Sequence, residues 1–394
     1  MLIGNAVIGQ SGGPTAAINA TLAGVIRRAY KYKCINNVYG MFNGIEGFLE
    51  ERICKLENLD IELLSQTPSS ALGSCRMKLP KDDPEIFEKF FSIIKKYDIR
   101  YFFYIGGNDS MDTVAKLHEF ARTRDYDLRV IGIPKTIDND LMCTDHTPGY
   151  GSAAKYIAAS MQEIIRDCAV YTLKAVTIVE IMGRDTGWLT AAAALPKIIC
   201  GVAPDYVYLP ERAFDVDKFL GDIKKAFEIH PNVVVAVSEG LRTAEGKFLG
   251  EATHKGTDIF GHVNLSGAGK TLELLVKGKI GCKVRSVELN ILQRCAAHIA
   301  SLTDIFESIK IGEIAVKTAV NGVSGVMMSF DGSEITTADV SQVANKIKYM
   351  PDDFINEAGN FVTDKCLKYI KPLIQGEMPV KYKDGLPLHL EINC

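Results

Sequence analysis

The amino-acid sequence predicts an α/β protein of two domains, each built on a mainly parallel sheet flanked by helices. Two observations carry that expectation. The first two-thirds of the chain repeats one grammar: a short apolar run, a glycine-rich polar loop, then a helical pattern. At 394 residues the chain also exceeds one ordinary core, and chains of that size divide into domains.

Residues 2–8 read as a strand and 10–14 as its loop. Residues 16–30 then carry Ala17, Ile18, Leu22, Val25, Ile26 and Ala29, a stripe at helical spacing. Residues 101–105 form a second buried strand with its loop at 106–110, followed by Val114, Leu117, Phe120 and Ala121 on a helix face. Residues 129–133 lead into the loop 134–140, and 152–165 look helical again. The runs 175–181, 206–209 and 233–237 continue the strands. This alternation predicts parallel sheets with right-handed crossovers. Ligands of such folds sit outside the carboxyl ends of the strands. The unusual loops all follow strands, so all are candidates for one shared site. A boundary is expected near Pro148–Gly151, with further crossings near 300 and 350.

Composition narrows the class. With 47% hydrophobic and 24% charged residues the chain is that of a globular protein, not a disordered one. A net charge of −3 and the absence of a Lys/Arg block argue against nucleic acid as a partner. The run MLIGNAVIGQSGG has no signal-peptide pattern, and no apolar run is long enough to span a bilayer. The ten cysteines are scattered without a CxxC pair. The expectation is therefore a cytoplasmic protein with free thiols and no membrane partner.

Five loops carry candidate chemistry. Ser11-Gly12-Gly13-Pro14-Thr15 joins strand to helix and reads either as a tight turn or as a phosphate site. In Gly106-Gly107-Asn108-Asp109-Ser110, either Asp109 or Ser110 caps the next helix, or Asn108 is a ligand for a magnesium ion carrying phosphate oxygens. Pro134-Lys135-Thr136-Ile137-Asp138-Asn139-Asp140 is the most informative stretch. Its lysine suits a phosphate oxygen, and a nearby aspartate can take a proton from an attacking hydroxyl. The bland alternative is a solvated loop with a Lys–Asp ion pair. In Met182-Gly183-Arg184-Asp185, Arg184 suits a sugar or phosphate oxygen and Gly183 lets backbone reach a ligand. Glu239, after the strand 233–237, can accept from sugar hydroxyls or lie idle on a surface; Arg76 and Arg294 carry the same pair of readings. The run Gly267-Ala268-Gly269-Lys270-Thr271 ends like a Walker A loop, but Asn264 stands where its first glycine belongs. A glycine-rich helix start is the better account.

These loops, in this order, resemble the 6-phosphofructokinase family, and specifically its pyrophosphate-dependent members. Pro134–Asp140 is the most specific match; Gly12-Gly13 with Asn19, Gly106–Ser110, Met182-Gly183-Arg184, Glu239-Gly240 and Gln293-Arg294 are similar to the family's other ligand loops. The resemblance implies transfer of a phosphoryl group from pyrophosphate to the C1 hydroxyl of fructose 6-phosphate, a reversible step of glycolysis using Mg²⁺. It implies Asp138 as base with Thr136 beside it, and Lys135 and Asp109 as donor-side residues. Met182, Gly183, Arg184 and Glu239 would hold fructose 6-phosphate, Arg294 its 6-phosphate, while Gly12 and Arg76 face the donor. Residues 1–150 with roughly 300–350 would form the donor domain, and 151–300 with roughly 351–394 the sugar-phosphate domain, with the active site in the cleft between them. A homodimer or homotetramer is also implied.

ATP-dependent members generally carry glycine where this chain has Asp109 and Lys135. A carboxylate at 109 would occupy and repel the place of a nucleotide's α-phosphate, and Lys135 would neutralise the leaving phosphate of pyrophosphate. Two departures stand out: Asn108 replaces the usual metal-associated aspartate, and Ala175 replaces an arginine that reaches a neighbouring subunit. The rival expectations are an ATP-dependent enzyme of the same fold, a P-loop nucleotide hydrolase, and a non-catalytic phosphosugar-binding regulator.

Overall fold

A computed structural model of the chain describes residues 2–80, 83–250 and 267–392. Its main strands are β1 (Gly4–Gln10), β2 (Ile35–Met41), β3 (Ile53–Lys55), β4 (Ile99–Gly106), β5 (Arg129–Pro134), β6 (Ala175–Ile181), β7 (Tyr206–Tyr208), β8 (Asn232–Ser238), β9 (Lys283–Glu288), β10 (Val326–Asp331) and β11 (Glu334–Asp339). The longer helices are α1 (Ile18–Ala29), α2 (Pro84–Lys96), α3 (Asn108–Arg122), α4 (Tyr150–Cys168), α5 (Val216–Ile229), α6 (Ala268–Lys279) and α7 (Leu302–Val320). The chain divides into two units. The first is Met1–Ser152, Arg294–Ile347 and Gly376–Cys394; the second is Ala153–Gln293 and Lys348–Gln375.

The first unit holds a seven-stranded sheet of order β11-β10-β5-β4-β1-β2-β3. Its pairs are parallel except at the two edges, β10 with β11 and β2 with β3. Alternation along the strands divides the core between two faces. Ile8, Phe103 and Ile105 pack with Leu22 and Val25 of α1 and with Ile311 and Ala315 of α7. Val7, Phe102 and Tyr104 point the other way, onto Phe90 and Ile94 of α2 and Met111 and Leu117 of α3. Strand β1 lies between β2 and β4, so the chain's winding reverses there. The loops after β1 and β4 diverge at that switch point, where open α/β sheets bind ligands.

In the second unit a four-stranded parallel sheet has the order β7-β8-β6-β9. Val176, Ile178, Val233, Val235 and Val237 meet Phe219 and Ile223 of α5 and Leu272 and Val276 of α6. Here the winding reverses between β6 and β9, and the loops after β6, β8 and β9 all leave from carboxyl ends.

Three expectations change. Residues 376–394, expected with the second domain, belong to the first unit. The Gln66 side chain fixes them: its amide donates to the carbonyl of Leu388 at 2.9 Å, its carbonyl accepts from Lys381 N–H at 3.0 Å, and Leu390 N–H donates to Thr67 Oγ1 at 2.9 Å. Helix α3 begins at Asn108, with Gly107 as N-cap and no side-chain cap. Neither Asp109 nor Ser110 therefore caps it; both sit inside the first turn. Among the described residues eight cysteines are free thiols, but Cys54, half-buried on edge strand β3, is disulfide-bonded.

Helix α7 organises the first unit. It crosses α1 so closely that a β-carbon on Gly24 would come within 2.0 Å of the Ile309 carbonyl oxygen, and one on Gly312 within 2.3 Å of that of Thr21. From its first turn the buried Asp304 carboxylate accepts from Gly149 N–H at 2.8 Å, Ser152 N–H at 2.9 Å and Ser152 Oγ at 2.5 Å. One turn on, Glu307 Oε2 lies 2.9 Å from His146 Nε2, while His146 Nδ1 lies 3.3 Å from Asp145 Oδ2 and the ring stacks on Phe330 at 4.5 Å. Burial opposes the imidazolium, but the hydrogen bonds and charges of Asp145 and Glu307 outweigh it and hold its pKa up at about 9. The segment 145–152 that follows the β5 loop is thus tied to α7 by two carboxylates.

Two outcomes follow from this packing. Gly24→Ala should lower stability by about 1–3 kcal/mol through overpacking, read as a lower thermal unfolding midpoint. His146 has a raised folded pKa, so its contribution is complete below its unfolded pKa and is lost as pH rises through about 9. His146→Gln should therefore cost on the order of 2 kcal/mol at pH 7, and the gap to the parent should close between pH 8 and 10. A gap that persists at pH 10 would mean that the charge is not what holds this segment.

Candidate active site

The first unit brings the loops after β1, β4 and β5 together around one lysine. Gly12 has a left-handed backbone (φ +76°) and turns the chain out of β1. Its N–H donates to the Cys75 carbonyl at 3.4 Å and its carbonyl accepts from Ser74 Oγ at 2.6 Å. The Gly12 amide expected to face a phosphate is therefore engaged by residues 74–75, which precede the exposed Arg76. What the two glycines provide is room for cations. A β-carbon on Gly12 would lie 3.3 Å from Lys135 Nζ, and one on Gly13 3.3 Å from an Arg294 guanidinium nitrogen.

Lys135 follows the last residue of β5 and is only 2% exposed. Its Nζ donates to the Gly13 carbonyl at 2.6 Å. Burial pushes its pKa down to about 8 and Arg294 adds to this, against the pull of Asp138 and Asp140. It is an ammonium at neutral pH, and the nearness of a second cation, Arg294, makes the spot suited to an anion.

The rest of the loop is tied to itself and to the segment held by α7. Asp138 N–H donates to Thr136 Oγ1 at 3.1 Å, and Thr136 Oγ1 lies 3.4 Å from Asp138 Oδ2. Thr147 Oγ1 donates to the Thr136 carbonyl at 2.9 Å, and Thr136 N–H donates to that of Pro148 at 3.2 Å. Asn139, wholly buried, adopts the left-handed conformation that asparagine tolerates (φ +53°). Asp138 is half-buried at the end of this arrangement, able to accept a proton from a hydroxyl brought to it.

At the head of α3, Ser110 Oγ donates to Ser11 Oγ at 3.1 Å, joining the β4 loop to the β1 loop. Asn108 Nδ2 donates to the Lys346 carbonyl at 2.6 Å, which fixes its amide; its buried Oδ1 has no hydrogen-bond partner among the described residues. Asp109 Oδ1 pairs with Lys78 Nζ at 2.9 Å. Without side-chain caps, the first-turn N–H groups of α3 present a positive helix end on this side.

The second unit gathers its own set. Met182 N–H donates to Gln293 Oε1 at 3.4 Å, Gly183 N–H to Glu239 Oε1 at 3.1 Å, and Gly187 N–H to Glu211 Oε1 at 2.8 Å. Ser238 Oγ donates to the Gly183 carbonyl at 2.6 Å. The loop 182–187 after β6 is thus pinned along its length. Arg184 Nε is buried with no protein acceptor among the described residues, a donor suited to an anionic oxygen. Glu239 holds backbone in this arrangement with one of its two carboxylate oxygens. Arg294, expected on the 6-phosphate, belongs to the first unit and brings its guanidinium to Gly13 and Lys135.

The Walker-like run closes on itself. At the start of α6, Gly269 N–H donates to the buried Glu180 Oε2 at 2.7 Å; burial pushes that carboxyl up while the N–H groups of residues 267–269 favour its ionised form. Lys270 pairs with Glu273 at 2.7 Å. A carboxylate of the protein already occupies the place that a P-loop gives to phosphate. The expectation about Asn264 concerns a residue outside the described ones.

Sequence reasoning missed Asp304, His146, Glu307, Glu211 and Lys78. Of these only Asp304 carried a signal, the Ser301-x-x-Asp304 spacing of a helix start, in which Ser301 Oγ accepts from Asp304 N–H at 3.4 Å. That spacing says nothing of the loop which Asp304 grips.

Comparison with known proteins agrees with this arrangement. The sequence profile of the phosphofructokinase family matches residues 5–319. The pyrophosphate–fructose 6-phosphate 1-phosphotransferase of Xanthomonas campestris pv. campestris (strain B100) is 41% identical, the alignment covering 100% of this chain and 97% of that protein. The protein of the same name from Methylococcus capsulatus is 38% identical, over 97% of this chain and 94% of its own length. Among solved structures, the pyrophosphate-dependent phosphofructokinase of Nitrosospira multiformis superposes with a TM-score of 0.88 at 38% identity, covering 98% of this chain and 96% of that one. With its switch-point loops, its buried lysine and this likeness along its whole length, the chain belongs to the phosphofructokinase family.

Proposed function

We propose that this chain transfers a phosphoryl group from pyrophosphate to the C1 hydroxyl of fructose 6-phosphate, giving fructose 1,6-bisphosphate and phosphate. The observation that carries the reading is Lys135: an ammonium buried against the Gly13 carbonyl, on the loop that also bears Asp138. A position that is generally glycine in ATP-dependent relatives here holds a fixed positive charge on the donor side.

Asp138 takes the proton of the C1 hydroxyl as its oxygen attacks phosphorus, and the bond to the leaving phosphate breaks. Lys135 and Arg294 stabilise negative charge on the transferring and leaving groups. The engaged N–H of Gly12 is not needed for this; the cations fill that role. Arg184 holds the sugar phosphate, on a loop kept in shape by Gln293, Glu239 and Glu211. Arg76, beside Gly12, faces the donor. Because pyrophosphate and a sugar phosphate ester are similar in energy, the protonated Asp138 returns its proton to the sugar oxygen in the reverse direction.

Magnesium fits as an ion that arrives with pyrophosphate. Among the described residues Asn108 Oδ1 is a buried neutral oxygen without a partner, and no group of three His, Cys, Asp or Glu forms a ready cage. Asn108 would hold the ion from the protein side, directly or through water, and the ion would neutralise phosphate charge. The reading includes a cytoplasmic homodimer or homotetramer; no described helix is long and apolar enough to cross a membrane.

A coupled assay comparing donors tests the proposal. Turnover is expected with pyrophosphate and magnesium, and little or none with ATP. Higher turnover with ATP would leave the fold in place but end the pyrophosphate reading.

A further inference from the structure

Asp109 raises a difficulty of its own. A carboxylate in the donor site keeps out a nucleotide's α-phosphate, but its charge would equally repel pyrophosphate, a smaller and denser polyanion. Lys78 answers it: its Nζ sits 2.9 Å from Asp109 Oδ1, with the two side chains 46% and 42% exposed. We propose that Lys78 is a donor-specificity residue that acts through Asp109, cancelling its charge so that the pair excludes nucleotides by bulk without repelling pyrophosphate. The inference rests on the pyrophosphate reading above.

The approach of Lys78 to Asp109 is built into the chain on both sides. Upstream, Ser74 Oγ donates to the Gly12 carbonyl at 2.6 Å and the Cys75 carbonyl accepts from Gly12 N–H. Downstream, Lys116 Nζ, paired with Asp112 at 2.6 Å, donates to the Leu79 carbonyl at 2.8 Å. The segment is therefore strung from the β1 loop to the flank of α3, and Lys78 falls over the first turn of that helix. Asp109 gains from the helix's positive end in any case, and an exposed ion pair adds little to folding. The pair's value lies in the charge it presents to the donor. It is a neutral wall where an unpaired aspartate would be an anionic one.

A double-mutant cycle separates this role from direct contact with pyrophosphate. Lys78→Met, Asp109→Asn and the double variant are assayed with magnesium pyrophosphate, after the parent has been shown to use it. Lys78→Met should raise KM for pyrophosphate by about tenfold. Its KM for fructose 6-phosphate and its unfolding midpoint should match the parent's. Adding Asp109→Asn removes the exposed carboxylate and should return KM for pyrophosphate to within about threefold of the parent. If the double variant is no better than Lys78→Met, Lys78 touches pyrophosphate itself and the inference falls. It also falls if Lys78→Met leaves that KM unchanged. Preference of the parent for ATP would overturn both readings, and is seen before any variant is made.

Discussion

Burying an ammonium costs several kcal/mol unless oxygen atoms surround it, and the proposed donor site is arranged around that constraint at Lys135. The Gly13 carbonyl accepts from Nζ, and Asp138 and Asp140 supply opposite charge, yet burial and Arg294 still depress the pKa to about 8. A β-carbon on Gly12 would crowd Lys135 Nζ at 3.3 Å, and one on Gly13 would crowd Arg294 at the same distance. The nearness of Arg294 to Lys135 makes an anion at this spot favourable.

A loop carrying such charges needs a rigid foundation, and helix α7 provides it. Asp304 and Glu307, one turn apart, grip the backbone at Gly149 and Ser152 and the ring of His146. The helix itself is fixed by its close crossing with α1 at Gly24 and Gly312. Strain or repacking at that crossing would therefore reach the β5 loop through a short chain of hydrogen bonds. Elsewhere in the fold Glu180 shows the opposite use of a buried carboxylate. By filling the start of α6 it makes a glycine-rich helix N-terminus structural and unavailable to phosphate.

Much of the first sheet was legible in the sequence, because β4 and β5 are continuous apolar runs and α1 carries a clear helical stripe. Strand β6 was read residue for residue at Ala175–Ile181. Other elements hid for physical reasons. Strand β9, Lys283–Glu288, is a half-exposed edge strand with few apolar residues, and the tail joins the first unit through polar side chains such as Gln66 and Thr67 that no pattern singles out. Helix α3 begins earlier than its polar residues suggested, since Gly107 supplies the N-cap. In the site, the residue types in the loops after β1, β4, β5, β6 and β8 announced themselves through their chemistry. Their partners did not: the pairing of Lys78 with Asp109 and the hold of Asp304 on Gly149 exist only once distant segments meet. Arg294 stood out in the sequence as a candidate phosphate ligand, but its position beside Gly13 and Lys135 did not.

The account's central claim is that one loop carries both the positive charge for the donor and the base for the acceptor. Steady-state kinetics of Asp138→Asn test it most directly, because the amide keeps the shape and most hydrogen bonding but cannot take a proton. The account predicts a fall in kcat of at least about 100-fold, in both directions of the reaction, with KM for fructose 6-phosphate within a few-fold of the parent. A folded Asp138→Asn protein with near-parental kcat would contradict it and move the base to another residue.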